Sequence, residues 1–182
     1  MNIIIRSESS LDVTAIETVT VAAFLQAPHT SHTEQFIVNA LRQSGMLSVS
    51  LVAEDRGEIV GHVAISPVSI SDGIGGWYIL GPISVIPDRQ GLGIGSQLVE
   101  QALIELGKLE ATGCVLVGNP SYYSRFGFKL ESTLVLPDVP PEYFQAISFG
   151  AKIPTGIVTC HQAFTALPAV TRYALLFLGM RI

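Results

Sequence analysis

"ISVIPDRQGLGIGSQLV", residues 83–99, runs from an apolar stretch into a segment with helical spacing and places glycine at positions 91, 93 and 95 between them. Glycine weakens strands and helices alike, so its use at alternate positions needs a reason other than regular structure. At a strand-to-helix turn the first main-chain N–H groups of the helix have no intrahelical partner and point outward. Together with the helix dipole they form an anion site, and glycines let a phosphate approach the main chain without meeting a Cβ. The stretch therefore reads as a loop that binds with its backbone, and a pyrophosphate suits it.

Upstream, "WYILGPISVIP" is almost continuously apolar, as expected of a central strand buried on both faces. Gly81-Pro82 conflicts with that, because proline donates no ladder hydrogen bond; pairing on one side of the strand should be broken or splayed there. Downstream, Ile94, Leu98, Ala102 and Leu106 lie four apart with Val99 and Leu103 beside them, which predicts a helix with one buried face ending near Gly107.

The rest of the chain extends this alternation. "NIIIR" is a short strand, and Ser9 or Ser10 is placed to cap a helix from about Leu11. Val13, Ile16, Val19, Thr20 and Ala23 form one apolar stripe, and Phe36, Ile37, Ala40 and Leu41 form a second after "QAPHTSH". "LSVSLVAED" and "IVGHVAISPVSI" read as a hairpin around "RGE". After the glycine-led helix come a buried strand "GCVLVG", a turn or short helix "PSYYSRFGF" and a strand "KLESTLVL", with a last strand near "TGIVTCH". The order β, α, α, β, β, β, α, β, short α, β predicts an α/β or α+β fold, a single sheet with helices on its faces.

Composition narrows the function. A chain of 182 residues and 19.4 kDa, 48% apolar and 14% charged, is expected to fold as one unit with a real core. A net charge of −5 gives no general attraction to nucleic acid. Cys114 and Cys160 are too few for a disulfide framework and read as buried thiols in a reducing compartment. The start "MNIIIRSES" has an apolar run too short for a signal segment, so a cytoplasmic protein is expected. "ALPAVTRYALLFLGMRI" is broken by Pro168 and Arg172 short of the roughly 20 apolar residues that a membrane span requires. Residues 165–182 are set apart as an apolar extension that packs on its own sheet or forms a homodimer contact.

Of the motifs that use glycine to hold phosphate, the P-loop fails because Gly95 is followed by Ser96 and Gln97 and the next lysine is Lys108. The dinucleotide fingerprint fails because its third glycine falls on Ser96 or Leu98. "QGLGIG" is Q-x-x-G-x-G, and in its setting it resembles the coenzyme A loop of the GNAT superfamily of N-acetyltransferases. "GHVAISPV" and "YYSRFGF" strengthen the resemblance to a bacterial subgroup of these, and the element order extends it over about residues 1–164. The resemblance implies a single mixed, mostly antiparallel sheet flanked by helices and splayed at its central strand.

It also implies acetyl-CoA as co-substrate and a small-molecule or peptide amine as acceptor. The amides of Gly91, Leu92, Gly93, Ile94, Gly95 and Ser96 would hold the pyrophosphate, with Gln90 lining the loop. Ile83, Ser84 and Val85 would lie along the pantetheine arm, with main-chain groups of Ile83 and Val85 pairing with it and the Val85 N–H or a neighbour receiving the oxyanion. Asn119 would contact the cofactor, although the segment before the tyrosines is shortened to "GNPSYY". The family's aromatic-Tyr-x-x-x-Gly-Phe segment puts its tyrosine on Tyr123, a phenol near pKa 10 that can share a proton with a thiol near about 8.5. Tyr122 is the alternative, and packing of both rings with Phe126 and Phe128 is the structural reading.

No carboxylate stands on "WYILGPISVIP", so the base falls by default to Glu34 or His62, the latter read first as a hydrogen-bonded core residue. An amine that loses its proton through water would need neither. His29 and His32 are weak metal evidence without an acid or thiol beside them, and with Pro28 they fall where the family builds its acceptor pocket. The competing functional reading is a non-catalytic acyl-CoA sensor.

Overall fold

The computed structural model describes residues 2–25, 34–150 and 152–164. His29, His32, Pro28 and the apolar extension lie outside them. In chain order the elements are β1 Ile3–Ser7, α1 Val13–Leu25, α2 Glu34–Gln43, β2 Val49–Asp55, β3 Glu58–Pro67, β4 Ser69–Ile70, β5 Trp77–Val85, α3 Ile94–Lys108, β6 Gly113–Val117, α4 Pro120–Tyr123, β7 Lys129–Leu130, β8 Leu134–Val135, β9 Phe144–Ser148 and β10 Gly156–Thr159. Seven strands form one sheet in the order β1-β2-β3-β5-β6-β9-β7, and β4-β10-β8 form a second, smaller one. In the large sheet only β5 and β6 run parallel, joined by α3 as a crossover, the connection that parallel neighbours require.

Strand alternation sorts the core into two faces. Leu51, Ala53, Val63 and Ile65 turn toward α3 and pack with Leu98, Val99, Ala102 and Leu106. Val52 and Ala64 turn the other way and pack with Ile16 of α1 and Val38 of α2. The far half of that second face is covered by the small sheet, whose Ile70, Leu134 and Val158 cluster with Trp77, Val115 and Phe144.

Several local expectations are corrected. α1 begins at Val13, not Leu11. Its first turn is organised by Asp12, whose carbonyl accepts from Ile16 N–H and whose carboxylate accepts from Ser9 N–H, Ser9 Oγ and both terminal nitrogens of Arg6. A carboxylate held by a guanidinium satisfies more donors than a serine cap can, and it drops well below the usual carboxylate range. In α2 the buried residues are Glu34, Gln35, Ile37, Val38 and Leu41, while Phe36 is 58% exposed.

"IVGHVAISPVSI" splits at Pro67 into β3 and β4, and "KLESTLVL" splits into β7 and β8, which belong to different sheets. The strand "FQAIS" has no counterpart in the sequence pattern, although β9 pairs β6 along its whole length. Its Gln145 interrupts the apolar signal because it is buried for a hydrogen bond, donating from Nε2 to Gly118 O at 3.0 Å.

Candidate active site

The irregularity expected at Gly81-Pro82 is present and sits at the middle of the sheet. β5 pairs β3 through Ile65↔Leu80 and resumes at Val63↔Ile83, so two residues of β5 stand against one of β3. A bulge of this kind bends its strand and raises the local twist. On the other side β5 pairs β6 only from Trp77↔Gly113 to Ile79↔Val115. Beyond Ile79 the two strands part, leaving a gap that opens at their C-terminal ends.

Strand alternation decides which main-chain groups face that gap. Ile86 N–H donates to Val60 O on β3, and Ser84 stands opposite His62 two residues back, so the groups of Ser84 are turned to β3. Those of Ile83 and Val85 then point toward β6. The Val85 carbonyl is engaged there by Gln90 Nε2 at 2.9 Å. The side chain of Ser84 is 2% exposed beneath α1, with Oγ 3.3 Å from Thr20 Oγ1. Ser84 therefore offers the gap neither main-chain nor side-chain groups.

The glycine loop closes the same end. Gly91 (φ 74°) and Gly93 (φ 82°) are left-handed, a conformation that L side chains adopt at a cost, and a Cβ at either would project into open space. Gly93 is the N-cap of α3, and the first helical bond runs from Gln97 N–H to Gly93 O, so the N–H groups of Ile94, Gly95 and Ser96 precede the ladder. Ile94 and Gly95 are buried against the sheet. Gly61 on β3 makes that approach possible: a Cβ there would lie 3.1 Å from Leu98 Cδ1 and 3.3 Å from Ile94 Cγ2. The loop is braced further by Arg89, 3.2 Å from Asp55.

On the β6 side, Asn119 caps the short α4, its Oδ1 accepting from Ser121 N–H at 2.9 Å. The two tyrosines diverge, with ring centroids 4.9 Å apart and planes at 86°. Tyr123 is 2% exposed and joins the core cluster that holds Leu80, Ile83 and Val85. Gly118 makes room for it, since a Cβ there would overlap its ring. Burial raises its phenol above the ordinary value, so it stays protonated at neutral pH. Tyr122 is half-buried, and its hydroxyl lies 3.2 Å from Ser96 Oγ, linking α4 to the first turn of α3. Its phenol is also raised, by burial foremost, with the Ser96 hydrogen bond acting against that.

Glu34 opens α2, fully buried on the opposite face, and α2 contacts β5. His62 is a buried core residue whose Nε2 lies 2.8 Å from Ser50 Oγ. Ser50 in turn donates its proton to Glu8, which Arg42 holds through two bonds of 2.8 and 2.9 Å. Since the serine proton goes to the carboxylate, His62 is the donor to Ser50 and is neutral; burial pulls its pKa down to about 4. Among the described residues no cluster of metal-ligating groups is present, and no helix is long and apolar enough to cross a membrane. Burial raises the Cys114 thiol well out of reach of neutral pH.

Residues 47–130 match the family described as acetyltransferase (GNAT) domain. The uncharacterized N-acetyltransferase YhbS of Escherichia coli K12 is 35% identical over 128 residues, covering 70% of this chain and 74% of that protein. The chain belongs to the GNAT acetyltransferase family. Its fold is shared with the crystal structure of a GNAT family acetyltransferase from Brucella melitensis in complex with acetyl-CoA, at 44% identity, 90% and 98% coverage and a TM-score of 0.81. It is shared too with that of YhbS from Escherichia coli in complex with CoA, at 31% identity, 91% and 93% coverage and a TM-score of 0.81.

Proposed function

We propose that the protein transfers an acetyl group from acetyl-CoA to a primary amine by direct attack on the thioester. One observation carries this reading: the gap between β5 and β6, the outward N–H groups of α3 and the open faces of Gly91 and Gly93 all lie at one end of the sheet. A ligand with a diphosphate and an extended amide-bearing arm fits that combination, the first on the helix terminus and the second along a strand edge. The relatives from Brucella melitensis and Escherichia coli, described with acetyl-CoA and CoA, support it.

Under this reading the amides from Gly91 to Ser96 hold the diphosphate, and Gln90 fixes the loop. Main-chain groups of Ile83 pair with the pantetheine arm. The Val85 N–H stabilises negative charge on the carbonyl oxygen. The neutral acceptor nitrogen forms a bond to the carbonyl carbon and the carbon–sulfur bond breaks. Tyr123 gives its phenolic proton to the departing sulfur, and Glu34 takes the proton lost from nitrogen. Asn119 acts as the cap that positions α4, one step from the reacting atoms. Family membership favours this over a non-catalytic sensor.

The test is release of free thiol from acetyl-CoA across a broad amine panel, with the thermal midpoint followed in parallel. Amine-dependent thiol release is expected. A midpoint raised by acetyl-CoA with no thiol released on any amine would replace the enzyme with a sensor.

A further inference from the structure

Beside the gap lies a cleft of about 660 Å³, bounded by the turn after β7, by β8 and by the segment entering β9. Its size is that of a small-molecule site. The walls are mostly apolar, with Leu134 and Phe144 buried at its base, and Glu131 and Glu142 reach it while, among the described residues, no lysine or arginine does. Neither carboxylate is in an ion pair among the described residues, whereas Glu8, Glu54, Asp12, Asp55 and Glu105 all are.

The cleft adjoins the reaction centre through two contacts. Phe144 stands opposite Val117, the last residue of β6, and the carbonyl of Tyr143 accepts from Gly118 N–H at 2.9 Å. Gly118 is the residue on which the Tyr123 ring rests. β6 and then β9, which carries Phe144, stand between the gap and the body of the cleft, a span of roughly 10–15 Å at ordinary strand spacing.

From this arrangement we infer that the cleft receives the body of the acceptor, and that the acceptor carries a second positive charge on an apolar spacer. This rests on the acetyltransferase reading and names its substrate class. A spacer covers the apolar wall, its far cation meets Glu131 and Glu142, and its near amine reaches the gap. Attraction to the pair is strengthened because the apolar wall lowers the local dielectric, and the net charge of −5 adds a field of the same sign. An acceptor ending in a carboxylate is repelled by both.

Three acceptors matched in spacer length test it: an alkyl monoamine, the α,ω-diamine and the ω-amino carboxylate. The diamine should exceed the monoamine in kcat/KM by roughly tenfold, chiefly through KM, as expected for one charge-assisted hydrogen bond, and the amino carboxylate should be poorest. In a Glu131→Gln, Glu142→Gln double variant the diamine-to-monoamine ratio should fall toward one. A midpoint still raised by acetyl-CoA certifies that variant as folded. A flat series, or a ratio unchanged in the variant, overturns the inference.

If no amine is turned over, calorimetry with the diamine separates the two readings. Binding that the double variant loses sustains the cleft and sinks the transferase, and no binding sinks the cleft. A mass that rises with concentration and falls back in Val135→Asp makes this face a contact between copies, which also overturns the proposal.

Discussion

Gln90 donates from Nε2 to the carbonyl of Val85 at 2.9 Å, tying the glycine loop to the end of the strand that feeds it. The bond leaves Val85 with only its N–H to offer the gap and fixes the distance between strand end and loop. Gln90→Ala should lower stability by about 1 kcal/mol, the usual worth of one such bond. Because the loop must then be ordered by the ligand, acetyl-CoA affinity should weaken several-fold. Calorimetric titration of the nucleotide thioester checks this, and an unchanged affinity would mean that the loop holds its shape without the tie.

The two tyrosines should separate by kinetic signature. Tyr123→Phe removes the proposed donor and should cut kcat by roughly 100-fold, the low end for a general acid, with acetyl-CoA affinity unchanged. Tyr122→Phe removes the contact with Ser96 and should act chiefly on affinity, by a few-fold. A reversed pattern would move the acid to Tyr122. Because burial raises the Tyr123 phenol, its folded form binds the proton more tightly than the unfolded one; the stability it lends is present below about pH 10 and falls as pH rises further.

Gly61 lets the first turn of α3 approach β3. In Gly61→Ala the new Cβ would meet Leu98 at 3.1 Å and the Ser84 carbonyl at 3.2 Å, so α3 should shift outward at a cost of about 1–3 kcal/mol. The shift carries the N-terminus of α3 with it, and acetyl-CoA binding should weaken together with the thermal midpoint. A loss of stability without loss of affinity would show that the anion site tolerates the displacement.

His62 should set the acid limb of stability. Its folded pKa of about 4 lies below the unfolded value, so the unfolded chain binds more protons between about pH 6.5 and 4 and stability falls as pH is lowered through that window. The loss should reach about 3 kcal/mol, since each pKa unit is worth about 1.4 kcal/mol. The charges beside it act in different windows: Glu8 is lowered, so its contribution falls only below about pH 4, and Arg42 stays charged throughout. Denaturant titrations of His62→Gln at pH 7, 5.5 and 4 should show a flatter dependence than the natural protein. Equal slopes would place the acid sensitivity elsewhere.

The central part of the fold was legible because its signals are local. Positions 94, 98, 102 and 106 share one helical face whatever surrounds them, and a proline in an apolar strand cannot join a ladder on both sides. β9 was not legible, since Gln145 reads as a surface residue until its partner at Gly118 is known. The division of "KLESTLVL" between two sheets depends on which edges happen to be free nearby. In α2 the pattern holds at Ile37 and Leu41 but puts Phe36 inside, because Phe36 is more apolar than Gln35, yet the buried side is decided by the neighbours of the helix.

The same boundary runs through the site. By itself the sequence determined the glycine loop, the break at Gly81-Pro82 and the identity of the tyrosine pair, because each is written in residues adjacent in the chain. Tertiary structure alone decided that Ser84 is turned to β3 while Ile83 and Val85 face the gap, that Tyr122 reaches Ser96 while Tyr123 is buried in the cluster that holds Ile83, and that Glu131 and Glu142 line one cleft. Those outcomes depend on register, strand parity and packing between segments far apart in sequence, and such distances are fixed only when the sheet closes.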